Sequence, residues 1–166
     1  MNWSELEAIS STVSAAVILV GGAVAVWQLR ESRRAAQFDA TQRMVDRTLD
    51  LDFNRALRFV IDGLQDRLKE PEYRAELESS RGWDVDPTRH PELIVLARLE
   101  ELGIYLRHGL LLGDALLDFN AILIMQSWEP LKDVVNLMRT THRNPHVWSN
   151  AEYLYERAKS VRIRHA

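Results

Sequence analysis

Residues 8–29, AISSTVSAAVILVGGAVAVWQL, decide how the rest of the chain is read. These 22 residues include no Asp, Glu, Lys or Arg. A hydrocarbon core about 30 Å thick needs roughly 20 apolar residues in helix. The run from Val13 to Trp27 is its strongest part; Ser10, Ser11, Thr12 and Ser14 weaken the first turn. Trp3 and Trp27 stand near the two ends, where indoles favour a membrane–water interface. Glu5 and Glu7 precede the stretch, and Arg30, Arg33 and Arg34 follow it. That asymmetry predicts an outside N-terminus and a cytoplasmic C-terminal domain. It also argues against a cleaved signal peptide, whose basic residues come first. A buried core helix is the other rival, and it is disfavoured because the stretch is apolar all round rather than on one face. Residues 1–30 are therefore expected to form a transmembrane anchor.

Gly21, Gly22 and Ala25 bring small residues together within the stretch. The Gly21-x-x-x-Ala25 spacing lets two helices approach closely. These three residues are the expected self-association surface, giving a homo-oligomer through the span.

No Gly or Pro occurs between Ala23 and Asp62. The helix should thus leave the span without a break and continue as a stalk. Phe38, Val45, Leu49, Phe53, Leu57, Val60, Leu64 and Leu68 mark one helical face, drifting too far from a heptad to make a coiled-coil seam. Asp50 and Asp52 mark a kink or a restart near Asn54. Residues 31–69 are read as stalk and long helix, either continuous or in two collinear parts. Pro71 ends it, and Glu72 to Ser79 suit a short turn of helix.

Residues 80–91 are turn-rich, punctuated by Gly82, Pro87 and Pro91. Trp83, Asp84 and Asp86 in this loop are a candidate contact surface. Residues 92–161 are read as core helices. Ile94, Leu96, Leu99, Leu102 and Leu106 make the first of these central. Gly109 stops it, and Gly113-Asp114 opens the next, with Pro130 as a kink or a new start. Asn144-Pro145 reads as the N-cap and first turn of a last helix running through Val161. The fold class is therefore all-α: a single N-terminal transmembrane helix continuing into a cytoplasmic bundle of four to six helices over residues 31–166.

The chain has no cysteine, which excludes disulfides and thiolate metal sites. Of the 24 acidic residues 22 follow the span, against all 21 basic ones. This near-neutral domain does not suit nucleic acid, which favours a basic excess. There is no phosphate-binding glycine loop, dinucleotide fingerprint, nucleophile elbow or H-E-x-x-H. His142 and His146 have metal-ligand spacing, but Asn144-Pro145 between them separates their faces, so neither a metal nor a cofactor is expected. Glu100, Glu101, Arg107 and His108 are the most charged part of the central helix. Buried carboxylates there serve either as general bases or as structural ion pairs. Trp128, Arg139, Arg143, Trp148 and Tyr153 interleave aromatics with cations, suiting ligand binding or the cementing of a helix pair. Glu101, Arg139 and Trp148 are accordingly the candidate ligand-binding residues, with no catalytic assignment.

Glu101-Leu102-Gly103, Gly109, Trp128-Glu129-Pro130-Leu131, Arg139, and Trp148 leading into Glu152-Tyr153-Leu154 carry a resemblance. In these positions the chain resembles the bacterial family catalogued as domain of unknown function 4760. The resemblance implies a small prokaryotic membrane-anchored protein and no particular activity. The first expectation is a membrane-tethered helical interaction or scaffold protein without enzymatic activity. It would sit at the bacterial inner (cytoplasmic) membrane with an unidentified protein partner. One alternative is an oligomerising membrane effector or regulatory subunit of a stress or phage response. The other is an enzyme or ligand sensor using a polar site in the bundle.

Overall fold

The computed structural model describes the backbone of residues 3–48, 50–79, 86–111 and 113–165. Within these, side chains are described for 18–43, 50–79, 86–111, 113, 116–118 and 120–161. The described elements are all helical: α1 (Trp3–Thr48), α2 (Leu51–Asp62), α3 (Leu64–Arg67), α4 (Pro71–Ser79), α5 (Glu92–Arg107), α6 (Gly113–His142) and α7 (Ser149–His165). The chain divides into two units, Met1–Asp39 and Ala40–Ala166.

The first unit holds α1 as far as Asp39, and the last residues of that helix belong to the second unit. Among the described residues no helix is long and apolar enough to cross a membrane. This corrects the expected transmembrane anchor over 1–30 and the single-pass reading built on it. Among the residues whose side chains are described, Ile18 to Leu29 are apolar and Arg30 begins a charged segment. This part alone makes about 18 Å of helix at 1.5 Å per residue, short of the roughly 30 Å of a hydrocarbon core. The side chains of residues 8–17, including the serine-rich first turn, lie outside the described set. The helix itself does run unbroken beyond the apolar part, as the absence of Gly and Pro predicts.

The second unit holds the core. Asp50 ends the continuous reading of residues 31–69. It caps α2, its carboxylate accepting from the Asp52 amide at 3.4 Å, while its carbonyl accepts from Asn54 N at 3.0 Å. The chain restarts there because this side chain satisfies an amide that the new helix leaves open. Gly63 separates α2 from α3, and Pro71 opens α4. Trp83 and Asp84 lie outside the described residues. Asp86 closes a tight turn, accepting at Oδ1 from the Thr88 amide (2.9 Å) and hydroxyl (2.7 Å). Both Thr88 bonds hold the Asp86 carboxyl below the usual carboxylate range.

Helix α5 ends where Gly109 adopts φ +64°, a left-handed conformation that favours glycine. Pro130 lies inside α6 without ending it. The last helix departs from expectation. Asn144 does turn the chain, its Oδ1 accepting from His146 N at 3.0 Å, but α7 begins only at Ser149. Trp148, at φ +59°, stands between the turn and the helix.

α7 packs against both α5 and α6, and α2 packs across the same pair. α7 is therefore a full member of the core. Leu64, Leu77, Leu96, Leu117, Leu131 and Leu154 are fully buried. Each contributes about 1.5–3 kcal/mol of apolar burial. A gap of about 20 Å³ remains between Phe53, Leu102 and Ile124. This is room for about one water and for no larger ligand.

Candidate functional site

The three residues expected to bind a ligand are engaged in different ways. Glu101 lies half-buried on α5 and accepts from two side chains of its own helix, Arg98 (2.6 Å) and the Tyr105 hydroxyl (3.3 Å). Arg139 reaches from α6 across the following turn. Its Nε donates to the Val147 carbonyl at 2.9 Å, and its terminal nitrogen donates to Glu152 on α7 at 2.8 Å. Trp148 closes the same turn, its indole N–H directed at the Met138 sulfur 3.3 Å away. The structure thus brings Arg139 and Trp148 together as a bracket on residues 143–148, while the Arg98 and Tyr105 bonds of Glu101 run along α5. A guanidinium fork suits this place, because one planar group bonds a carbonyl and a carboxylate in a single geometry.

The neighbouring Glu100 has the more consequential position. Its Oε2 accepts from the amides of Asn150 (3.0 Å) and Ala151 (2.8 Å), and its Oε1 accepts from the Asn150 side chain (2.7 Å). A carboxylate from α5 therefore caps the first turn of α7. The open amides and the helix dipole both favour negative charge there. The close approach depends on Gly103, one turn further along α5: a Cβ there would lie 2.5 Å from the Asn150 carbonyl carbon. Arg107 completes the seam by donating to Asn150 Oδ1 at 2.7 Å and lying over the Tyr153 ring at 4.7 Å.

A third group was missed by sequence reasoning, which placed His90 in a loop and left Glu92 unremarked. His90 and Glu92 are both fully buried. The Tyr73 hydroxyl on α4 donates to Glu92 Oε2 at 2.6 Å. His90 Nδ1 faces Glu92 Oε1 at 2.9 Å, and its Nε2 faces Glu76 Oε2 at 3.0 Å. Arg89 pairs with the other Glu76 oxygen at 2.7 Å, and Arg67 lies over the Tyr73 ring. Burial, then the hydrogen bond to Glu92, push the Tyr73 hydroxyl far above its ordinary range. The His–carboxylate pairing resembles the core of a general-base site. Here both ring nitrogens are occupied by carboxylates and the ring is sealed from solvent, so neither nitrogen is open to a substrate. The available signal was the helical period. Glu92 lies one turn before Val95 and Leu96, on the buried face shared with Leu99 and Leu102.

Gly21, Gly22 and Ala25, the expected self-association residues, are exposed on α1, and a Cβ on either glycine would meet nothing within 4 Å. Among the described residues no group of three or more His, Asp and Glu side chains could hold a metal ion. His142 ends α6, and its Nε2 is buried without a hydrogen-bond partner.

The geometry defines an all-α bundle whose buried polar groups join one helix to the next. The chain belongs to the family described as domain of unknown function DUF4760, whose model matches residues 15–158. No curated protein and no solved structure matches the chain.

Proposed function

We propose that the protein is a non-enzymatic helical interaction protein that assembles with copies of itself through the apolar part of α1. The observation that carries this reading is the surface of residues 18–29. Ile18, Leu19, Val20, Val24, Val26, Trp27 and Leu29 are 46–74 % exposed. Together they present roughly 900 Å² of surface, about what one partner contributes to a standard interface. Consecutive exposed residues cover every face of a helix, so one neighbour cannot bury them all, and more than two copies are required.

Charge complementarity selects the orientation. Glu7 lies 13 residues before Val20, and Arg33 lies 13 residues after it. Antiparallel copies centred on Val20 place Glu5 and Glu7 of one chain beside Arg33 and Arg34 of the next. Parallel copies stack the arginines. The pairing of Arg139, Glu100, His90 and Glu92 within the bundle supports a role in presentation rather than in chemistry.

The chain has no cysteine of its own, which makes crosslinking a direct test. In the antiparallel register Thr12→Cys and Gln28→Cys face each other across chains. A mixture of the two single variants should form a disulfide between them, while Gln28→Cys alone should not. Light scattering of the full chain should report more than two copies, and Gly21→Ile with Gly22→Ile should disrupt them. A chain that stays monomeric at ~10 µM, or that leaves solution for lipid vesicles as a monomer, would overturn the proposal, as would self-crosslinking of Gln28→Cys.

A further inference from the structure

An open groove of about 510 Å³ runs between the α3–α4 segment and the second half of α6. Its volume falls within the roughly 300–1,000 Å³ typical of small-molecule sites. Lys69 and Arg74 line it from one side, Asp133 and Asn136 from the other, and Leu68 and Leu137 supply apolar surface. The two sides are tied together. Gln65 Nε2 donates to the Pro130 carbonyl and to Asp133 Oδ2, both at 3.2 Å. These bonds fix the spacing of α3 from α6, and among the described residues the second Asp133 oxygen has no partner. Lys69 is held by Asp66 at 2.7 Å in a highly exposed pair. Among the described residues the Arg74 side chain has no hydrogen-bond or ion-pair partner.

The uncommitted groups among the described residues are therefore one guanidinium, one carboxylate oxygen, the neutral Asn136 carboxamide and a leucine-lined surface. A simple anion gains from Arg74 but is opposed by Asp133, and a simple cation meets the reverse. A molecule carrying both charges satisfies both sides. Arg74 matches a carboxylate with two parallel N–H bonds. Asp133 accepts from an ammonium, and the leucines take an aliphatic branch.

We propose that this groove binds a small zwitterion with a branched apolar side chain, that is, an α-amino acid of the leucine type. The site is independent of the assembly proposed for α1, since every group in it belongs to the unit Ala40–Ala166.

The experiment is equilibrium dialysis of the full chain against isotopically labelled L-leucine, 4-methylpentanoate and 3-methylbutylamine. L-leucine should bind, with each single-charge analogue roughly tenfold weaker or worse. Arg74→Gln should weaken L-leucine by roughly tenfold while leaving 3-methylbutylamine unchanged. Asp133→Asn should weaken L-leucine similarly while leaving 4-methylpentanoate unchanged. Both residues are exposed and outside the core, and circular dichroism verifies that each variant folds. No L-leucine binding at ~10 mM overturns the proposal. So does equal affinity for 4-methylpentanoate or inorganic phosphate, or L-leucine binding that survives both substitutions. Failure of α1 to assemble leaves these outcomes unaffected, so the two proposals stand or fall separately.

Discussion

Replacing Gly103 with alanine should loosen the seam between α5 and α7. An added Cβ would lie 2.5 Å from the Asn150 carbonyl carbon and 3.1 Å from its Cβ, with the carbonyl oxygen closer still. Ordinary carbon–carbon contact begins near about 3.5 Å, so the first turn of α7 must retreat by about 1 Å. The obstacle is backbone and cannot rotate away. The retreat stretches the bonds from Asn150 N and Ala151 N to Glu100, now 3.0 and 2.8 Å, beyond hydrogen-bond length. Overpacking costs about 1–3 kcal/mol, and loss of a helix cap costs about 0.5–2 kcal/mol. Alanine returns up to about 1 kcal/mol of helix propensity. The net loss should be about 2 kcal/mol, which lowers the melting midpoint by about 4–12 °C. Guanidinium titration followed by far-ultraviolet circular dichroism reads it as an earlier midpoint. Glu100→Gln sharpens the test. Alone it should destabilise, but in the Gly103→Ala background it should cost much less, because the cap is already lost. Gly103→Ala as stable as the parent, or strictly additive effects of the two changes, would refute the reasoning.

Tyr73→Phe should cost about 1–3 kcal/mol, since it removes a donor from the fully buried Glu92; an unchanged denaturation midpoint would refute this. The fold holds the Tyr73 hydroxyl well above its ordinary 10.0. The unfolded chain therefore gives up that proton first, and stability present below about pH 10 is lost as pH rises further, by up to about 1.4 kcal/mol per unit. Tyr73→Phe should flatten that alkaline slope but not abolish it, because the Tyr155 hydroxyl is also raised, chiefly by its bond to Glu129. A slope unaltered by the substitution counts against the assignment. Arg139→Lys should destabilise by about 1 kcal/mol, because one ammonium cannot span the Val147 carbonyl and Glu152 as the fork does. Amide hydrogen exchange over the first turn of α7 should accelerate, and unchanged exchange there would show that the bracket does not secure the turn.

Elements whose signals are local could be read from the sequence. Gly109 stops α5 because its left-handed φ needs no partner elsewhere, and Pro71 opens α4 by its own ring geometry. Asp50 restarts the helix through a bond two residues away. The last helix shows the opposite case. Asn144-Pro145 carries the local marks of a helix start, and Asn144 does bend the chain there. Yet α7 waits for Ser149, because its cap is the carboxylate of Glu100, distant in sequence. No window around residue 145 contains that information. The candidate site divides in the same way. Arg139 and Trp148 are close in sequence and meet at one turn, whereas Glu76, His90 and Glu92 meet only once α4 has folded back on α5.

The acidic residues of α5 therefore have a role that apolar packing cannot supply. Two helices with broad apolar faces tolerate a slide of one turn, about 5.4 Å, with modest loss, because leucine replaces leucine across the seam. Carboxylates do not tolerate it. Such a slide would take Glu92 from the Tyr73 hydroxyl, leaving a buried carboxyl without that donor, at a cost of about 1–3 kcal/mol. It would also take Glu100 from the amides that open α7. Glu92 fixes the register of α5 against α4, and Glu100 fixes it against α7. Glu92 at the start of the central helix and Glu100 in its most charged part thus act as its alignment devices, and the carboxylates of Glu92 and Glu76 leave the His90 ring no open nitrogen for chemistry.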